Sequence, residues 1–541
     1  MSFKTRILVV NNIKLPVNAS VEEAFSVAER RVSKLLSNTR ELKFSIYKRS
    51  VDARKRSDIR FVYSISVKGE FGNLNEHRLK DADITVVDQQ NGLSAVPGNE
   101  ALFAPPLVVG AGPAGLFAAL LLAERGYAPI LIERGGSISE RRNAVKKFYE
   151  HHILDTETNI QFGAGGAGTF SDGKLVTRIN DPLSSYVLRR LVDFGAPEEI
   201  LYLAKPHIGT DILAPVVEKI ADEIERLGGK VLYHTKYDST VRRRGNTVAI
   251  TDRGEIEYGA LILAIGHSAR DTYTNLIRDG YGLVGKPFSV GMRIEHLAEK
   301  IDKALYGDFA GHSNLGHAEY NLSYNTKVRG VYTFCMCPGG EVVAAASEDG
   351  GAVVNGMSYH SRAGKNSNSA VVCSIFKEDY GSTPEKAIDF QRKIERAAYS
   401  AGGSDYSAPI ITVGDFLDGR CISEPKDVIP TYMNSSMHTK IISPNEYLPD
   451  FVCASIKNAL CDFDKKISGF ASDTAVLTGA ETRTSAPVRI LRNEDTRLAF
   501  GTDNFYPCGE GAGYAGGITS AAIDGLKTAI KIIERYKPGQ A

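Results

Sequence analysis

The sequence predicts an α/β protein: a parallel-sheet domain split by a long α+β insertion and closed by the far end of the chain, with a small α+β domain in front. Three observations predict it. An apolar strand at Leu107 to Val109 passes through a glycine-rich turn, Gly110 to Gly115, into an apolar helix, Leu116 to Arg125. The last stretch, Leu498 to Lys537, repeats the order of strand, glycine-rich turn and long helix. The 541 residues between and around these segments are too many for one domain of ~150 residues.

In chain order, residues 3–11, 42–51 and 59–68 are rich in Ile, Val, Phe and Tyr, and Val21 to Leu36 carries apolar residues at helical spacing. Strand, helix, strand, strand is the expected order of a compact N-terminal unit. Residues 89–106, with Asn91, Gly92, Pro97, Gly98, Pro105 and Pro106, read as a linker. After the Leu107 strand and its helix, Pro129 to Ile132 forms a second strand ending at Glu133. A helix over Ala214 to Leu227, a strand at Lys230 to His234, hairpin-like strands to Tyr258 and a buried strand at Ala260 to Ile265 follow. Residues 290–487 mix strands, glycine turns and helical pieces. The domain boundaries expected are therefore 1–97, 98–289, 290–487 as the inserted substrate domain, and 488–541 as the return.

Composition excludes several classes. With 65 Lys+Arg against 64 Asp+Glu, the field of the whole chain does not recruit a polyanion. That balance is a cancellation, because residues 1–97 hold 17 Lys/Arg against 11 Asp/Glu, densest at Lys48, Arg49, Arg54, Lys55, Arg56 and Arg60. A solvated strand face explains this; a dock for an acidic partner or nucleic acid is the sharper alternative. The start lacks the pattern of a signal peptide, and the longest apolar run, Leu116 to Ala123, is far short of a membrane span of ~20 residues. The seven cysteines form neither a disulfide framework nor paired CxxC units, so a soluble protein of the reducing cytoplasm is expected, with no membrane partner.

The pattern GxGxxG occurs at Gly110/Gly112/Gly115, Gly163/Gly165/Gly168 and Gly511/Gly513/Gly516, and context separates them. Only the first lies between an apolar strand and an apolar helix, with an acid, Glu133, about 20 residues later at the end of the next strand. Gly110 permits the tight turn, Gly112 lets backbone approach a pyrophosphate, and Gly115 lets the helix pack on the strand. Pro113 and Ala114 open a helix whose N-terminal amides and dipole favour phosphate. Glu133 is expected to bind a ribose. The second match, flanked by polar residues, is a loop of backbone amides able to lie on a cofactor, with Gly165, Gly166, Gly168, Thr169, Ser171, Asp172 and Lys174 along it.

The far-end cluster NFYPCGEGAGYAGGITSAAIDG distinguishes FAD from a lone NAD domain. In flavoproteins of the glutathione-reductase-like class a late strand ends in Gly-Asp or Gly-Glu, whose carboxylate binds the ribityl chain. The next helix then points its N-terminus at the flavin pyrimidine. Gly509 and Glu510 match the first feature, and Gly516, Gly517 and Ile518 begin the second. The turn in LILAIGHS, at Gly266, resembles a third landmark beside the cofactor. His207 and His267 are the proton-donor candidates, with Lys174 a further candidate catalytic group. Arg293, Glu481 and Arg483 are the candidate substrate anchors. Cys335 and Cys337 form a CxC pair. Their separation makes a strained disulfide, and flavin disulfide reductases use wider spacings, so packed or substrate-domain thiols are expected.

Taken together, GAGPAGLFAALLLAERG with LIERG and Arg141, NIQFGAGGAGTFSDGKL, KPHIGTD, LAIGHSARDT, CMCPGGEVVAAASE, ETRTSAPVRI and PCGEGAGYAGGITSAAIDG carry a family likeness over nearly the whole chain. It resembles bacterial FAD-dependent dehydrogenases, NAD(P)/FAD-dependent oxidoreductases related to the HI0933-like flavoproteins. The resemblance implies non-covalent FAD, a split FAD domain with cofactor contacts extending to Arg134 and Arg141, an inserted substrate domain and an N-terminal extension. Ala164 stands where such proteins usually carry Glu, so no role of that carboxylate transfers. The expected function is hydride transfer between flavin N5 and a small molecule. A flavin monooxygenase, and a flavoprotein whose N-terminal domain binds RNA or an acidic partner, are the alternatives. No second dinucleotide unit is present, so NAD(P)H would dock only transiently.

Overall fold

The computed structural model describes residues 4–36, 39–71, 74, 76–87, 93, 95–177, 181–432 and 439–539. These divide into two compact units, one of residues 1–94 with 197–207 and 302–318, the other of the remaining chain.

The first unit is an antiparallel sheet in the order Thr39–Asp52, Arg60–Phe71, Lys4–Pro16, Ile84–Val87. Burial alternates along Arg60–Phe71, with Phe61, Tyr63, Ile65 and Val67 on the buried face, as a half-buried strand requires. Helix Val21–Leu35 buries Ala24, Ala28 and Val32, four residues apart on one stripe, and its first turn is closed by Ser20 N–H donating to Glu23 Oε1 at 3.0 Å. The expected strand, helix, strand, strand order is extended by a short helix, Glu76–Asp81, and the fourth strand, which pairs with Lys4–Pro16. Four residues are too few to show a period. The linker expected at 89–106 lies partly outside the described residues. Within the basic stretch, Arg49 lies over the rings of Phe61 and Tyr202, Arg54 pairs with Asp52 and Arg60 with Asp58. The backbone of Arg49 is also paired, to Tyr202 O and from Ala204 N–H.

In the second unit, five three-residue strands form a parallel sheet ordered Phe505–Pro507, Leu261–Leu263, Leu107–Val109, Ile130–Ile132, Lys230–Leu232. The order brings the last strand of the chain beside one from its middle, so the domain is closed by chain return. The strands at Leu107, Leu261 and Phe505 are buried throughout, as parallel strands covered on both faces are. Helix Pro113–Glu124 is buried from Ala114 to Ala123, because the C-terminal helix Ile518–Arg535 crosses its outer side. A Cβ at Gly525 would stand 2.1 Å from Ala114 O, so only glycine permits this crossing. Gly525→Ala is expected to force the helices apart and cost about 1–3 kcal/mol, read as a lower urea midpoint.

The inserted segment builds a seven-stranded sheet in the order Ser323–Asn325, Gly330–Cys337, Asn366–Ile375, Phe288–Leu297, Val476–Glu481, Ala408–Thr412, Thr439–Ile441. Its two central strands, Phe288–Leu297 and Asn366–Ile375, are almost wholly buried. The pairing of Gly330–Cys337 with Asn366–Ile375 shifts register between Phe334 and Cys337. No helix among the described residues is long and apolar enough to cross a membrane, and no group of metal-ligating side chains is present among them.

Candidate functional site

The carboxyl ends of the parallel strands open onto a cavity of about 330 Å³, lined from the turn at Gly110 to the start of the last helix at Ile518. Ligands bind in such sheets outside the carboxyl ends. At Gly110 the backbone has φ +100°, and a Cβ would lie 2.4 Å from Ala264 O; a Cβ at Gly115 would lie 1.9 Å from Gly110 O. Both glycines therefore set backbone packing, and Gly115 does so from behind the cavity wall. Gly112 differs. It caps helix Pro113–Glu124 with ordinary extended dihedrals, φ −78° and ψ −179°, and no side chain caps the helix. A Cβ there would meet nothing closer than Gly166 Cα at 3.9 Å. The first-turn amides are thus left for something in the cavity.

Glu133, 5% exposed, lines the cavity and accepts from the amides of Ala111 (2.8 Å), Gly163 (2.9 Å) and Gly135 (3.0 Å). It ties the first glycine turn to the second. A carboxylate has about four acceptor sites, so one remains for a ligand hydroxyl. Arg134, also on the wall, is engaged by Glu157 and Asp271 and lies over the Phe162 ring.

The second glycine loop turns through positive φ at Gly163, Gly165 and Gly166 and continues into a short 3₁₀ helix, Gly166–Phe170. Gly166 and Gly168 line the cavity with Ser171 and Lys174; Gly165 and Thr169 lie behind it. Arg141 is not a cavity residue. It is fully buried and donates to the carbonyls of Asn159, Ile160, Gly163, Ala164 and Gly166, so it shapes the loop from beneath, where a cofactor contact was expected. Burial of so many carbonyls needs a donor of this reach.

At the far end, Gly509 (φ +76°) donates its amide to Asp524, which is held by Arg492 and Arg497. Gly509 itself is behind the wall, and the next residue, Glu510, is on it. Tyr273, fully buried, shares its one hydroxyl proton between Gly511 O at 2.8 Å and Gly266 O at 3.1 Å and so clamps the Gly266 turn to this one. Helix Ile518–Arg535 begins at Gly517 without a side-chain cap, and Cβ atoms at Gly516 and Gly517 would meet open space. A second uncapped helix start therefore faces the same cavity.

Burial pushes the Glu510 carboxyl up to about 7 against the opposing pull of Lys286, with Cys335 adding to the rise. The native state then keeps this proton in a window, above the ordinary 4.5, where the unfolded chain has lost it. More protons bound in the native state mean that stability falls as pH rises through that window. Glu510→Gln is expected to flatten the fall in thermal midpoint of the flavin-free protein between about pH 4.5 and 7. An unchanged slope in the variant would contradict the assignment.

Between these ends the wall is polar, with Lys174, Cys335, Asn355, Glu481, Arg483 and His267. Lys174 donates to Asp172 at 2.6 Å and to Met336 O; burial opposes its charge, but Asp172 together with Cys337 and Cys335 more than restores it. His267 is on the wall, with Nδ1 2.9 Å from Ser268 Oγ. Burial first, then the charges of Arg483 and Arg270, push it down to about 3. It is an uncharged hydrogen-bonding group at neutral pH, in place of the proton-carrying imidazolium. His207 belongs to the other unit and is not part of this wall.

The expected Glu481 and Arg483 anchor is divided. Glu481 pairs with buried Arg293 at 3.0 Å, and Arg483 with Glu395 at 3.0 Å. Arg293 is off the wall, fully buried. Glu395 also takes Arg270 at 2.7 Å, and although burial alone would raise its carboxyl, Arg270 and Arg483 hold it well below the usual carboxylate range. The sequence did not mark Glu395, Tyr273 or Lys286, since none sits in a recognisable motif, and it gave Arg270, within LAIGHSARDT, no role.

Three stretches match known families: residues 106–287 that described as pyridine nucleotide-disulphide oxidoreductase, 287–484 as FAD-dependent protein, C-terminal domain-like, and 8–68 as a domain of unknown function. A Clostridium beijerinckii protein named only as uncharacterized is 45% identical over 533 residues, covering 97% of this chain and 98% of its own. Among solved structures, glycine oxidase from Bacillus cereus shares 11% identity over 79% of this chain and 94% of its own, with TM-score 0.34. The structure of CtdE in complex with FAD shares 13% over 79% and 84%, with TM-score 0.31.

Proposed function

The chain belongs to the FAD-dependent oxidoreductase family, and from that premise we propose that it is a dehydrogenase or reductase acting on a small molecule at the polar wall of its cavity. The residues present fit the cofactor. Two helices start on one cavity without side-chain caps, glycines stand at both starts, and Glu133 keeps an acceptor site free. The amides after Gly112 would hold the diphosphate, Glu133 the adenosine ribose, and Glu510 the ribityl chain. The start of the last helix would meet the pyrimidine end of the flavin. When bound, the flavin supplies hydride acceptance and donation at N5.

The chain's own residues supply the rest. Lys174, kept charged by Asp172, offers a fixed cation to an anionic substrate group, and uncharged His267 offers a hydrogen bond. Arg483 contributes a second positive wall, oriented by Glu395. The single observation carrying the reading is the pair of uncapped helix starts opening on one cavity with this polar middle. Kinship with the HI0933-like flavoproteins, and transient use of NAD(P)H, belong to the same proposal. The test is anaerobic mixing of the FAD-loaded protein with NADH, NADPH and a panel of small metabolites, followed in the flavin spectrum. Bleaching by at least one is expected; a flavin that none of them reduces overturns the dehydrogenase reading.

A further inference from the structure

Cys335 is presented to the cavity by a local distortion of its strand. The register shift between Phe334 and Cys337 is a β-bulge, and Cys335 within it has φ +45°, a conformation uncommon for a residue other than glycine. Bulges of this kind re-aim a side chain and recur beside active sites. Two cations hold the distorted backbone: Lys174 donates to Met336 O, and Arg293 donates to Cys335 O at 2.5 Å. Arg293 Nη2 also lies 3.9 Å from Cys337 Sγ. Cys335 is partly exposed on the wall, whereas Cys337 is fully buried behind it.

We propose that Cys335 and Cys337 are a redox-active thiol pair, Cys335 the attacking sulfur and Cys337 the resolving one, that exchanges two electrons with the flavin. The inference rests on the flavin assignment made above. In the oxidising direction, the Cys335 thiolate and Cys337 thiol with FAD and one proton give the 335–337 disulfide and FADH2. One S–S bond forms, the S–H bond of Cys337 is lost, and the two electrons with two protons reduce the flavin. The reverse step regenerates the thiolate and thiol for attack on a small disulfide.

The electrostatics agree with this division of labour. A hydrogen bond from the Cys337 thiol, followed by the charges of Arg293 and Lys174, outweighs burial and pulls the Cys335 thiol down to about 6, while the Cys337 thiol is pushed well up. The proton is thus favoured on the inner sulfur, and the outer one has the greater thiolate character of the two. By contrast, burial pushes up the packed thiols Cys373, Cys453 and Cys508. The close spacing, which argues against a permanent disulfide, suits a transient one: strained disulfides are the readily reduced kind.

The test uses the full FAD-loaded chain, oxidised with diamide, desalted and titrated anaerobically with dithionite while samples are alkylated and mapped. Wild type is expected to lose the two thiols of 335 and 337 on oxidation, and to take up twice the electron equivalents of the flavin alone before both centres are reduced. Cys335→Ser and Cys337→Ser, each checked for flavin content, are expected to need only the flavin's share. Cys373→Ser retains the doubled uptake. Full alkylation of both cysteines after diamide, or a disulfide that persists once the flavin is reduced, overturns the proposal. Colourless protein that takes up no FAD overturns the flavin reading as well, and is told apart by its spectrum before any thiol is mapped.

Discussion

Gly112→Asp should yield a protein that folds at least as well as wild type and binds FAD at least about 100-fold more weakly, a loss of ~3 kcal/mol. The position accepts any L-residue, because its φ of −78° is ordinary and its nearest neighbour would be 3.9 Å away. Aspartate is also a better helix cap than glycine, by a few tenths of a kcal/mol or more. Its carboxylate would occupy the first-turn amides and place a negative charge where a diphosphate belongs. Stability and cofactor affinity therefore move in opposite directions, which separates a ligand site from a structural glycine. Chemical denaturation of the flavin-free variant and FAD titration by fluorescence quenching read the two effects.

Glu395→Gln should be the most damaging single change to stability near the site. The carboxylate receives paired hydrogen bonds from Arg270, at 2.7 and 2.8 Å, and from Arg483, at 3.2 and 3.0 Å, with Thr482 as a further donor. Removing its charge leaves two buried guanidiniums facing each other with only Glu348, farther out, to share. Breaking one side of a buried ion pair costs about 3–5 kcal/mol, and a drop of that size in unfolding free energy is expected. Because Arg483 is on the cavity wall, substrate-dependent flavin reduction should weaken in any protein that survives. Arg392→Ala, which removes only an outer partner of Glu348, is expected to cost far less, since that pair is partly exposed.

What the sequence made legible was local. The turn from Gly110 to Gly115 could be read because strand, turn and helix are consecutive, and the close approach of Gly115 to Gly110 O lies within six residues, although the approach of Gly110 to Ala264 O does not. Glu133, Glu510 and the helix start at Gly517 were legible for the same reason, standing at the ends of short apolar runs. The rest depended on contacts that spacing does not encode. Arg141 is a loop-shaping residue because five carbonyls between 159 and 166 converge on its guanidinium. Glu481 and Arg483, two apart, were grouped as one substrate anchor, yet one turns to Arg293 and the other to Glu395, each far away in the chain. His267 looked like a proton carrier, but the fold buries its ring and sets two arginines beside it. The bulge that presents Cys335 is a register mismatch between two strands, and no single strand's sequence contains it.

The central claim is that one FAD spans both uncapped helix starts, the diphosphate after Val109 and the ring end by Glu510 and Gly517. Backbone amide hydrogen exchange of the full chain, stripped of flavin and then measured with and without added FAD, tests it most directly. Slowed exchange on adding FAD is expected in peptides covering 110–115 and, in the same titration, 509–518. Protection at only one of these segments, or at neither, would contradict it.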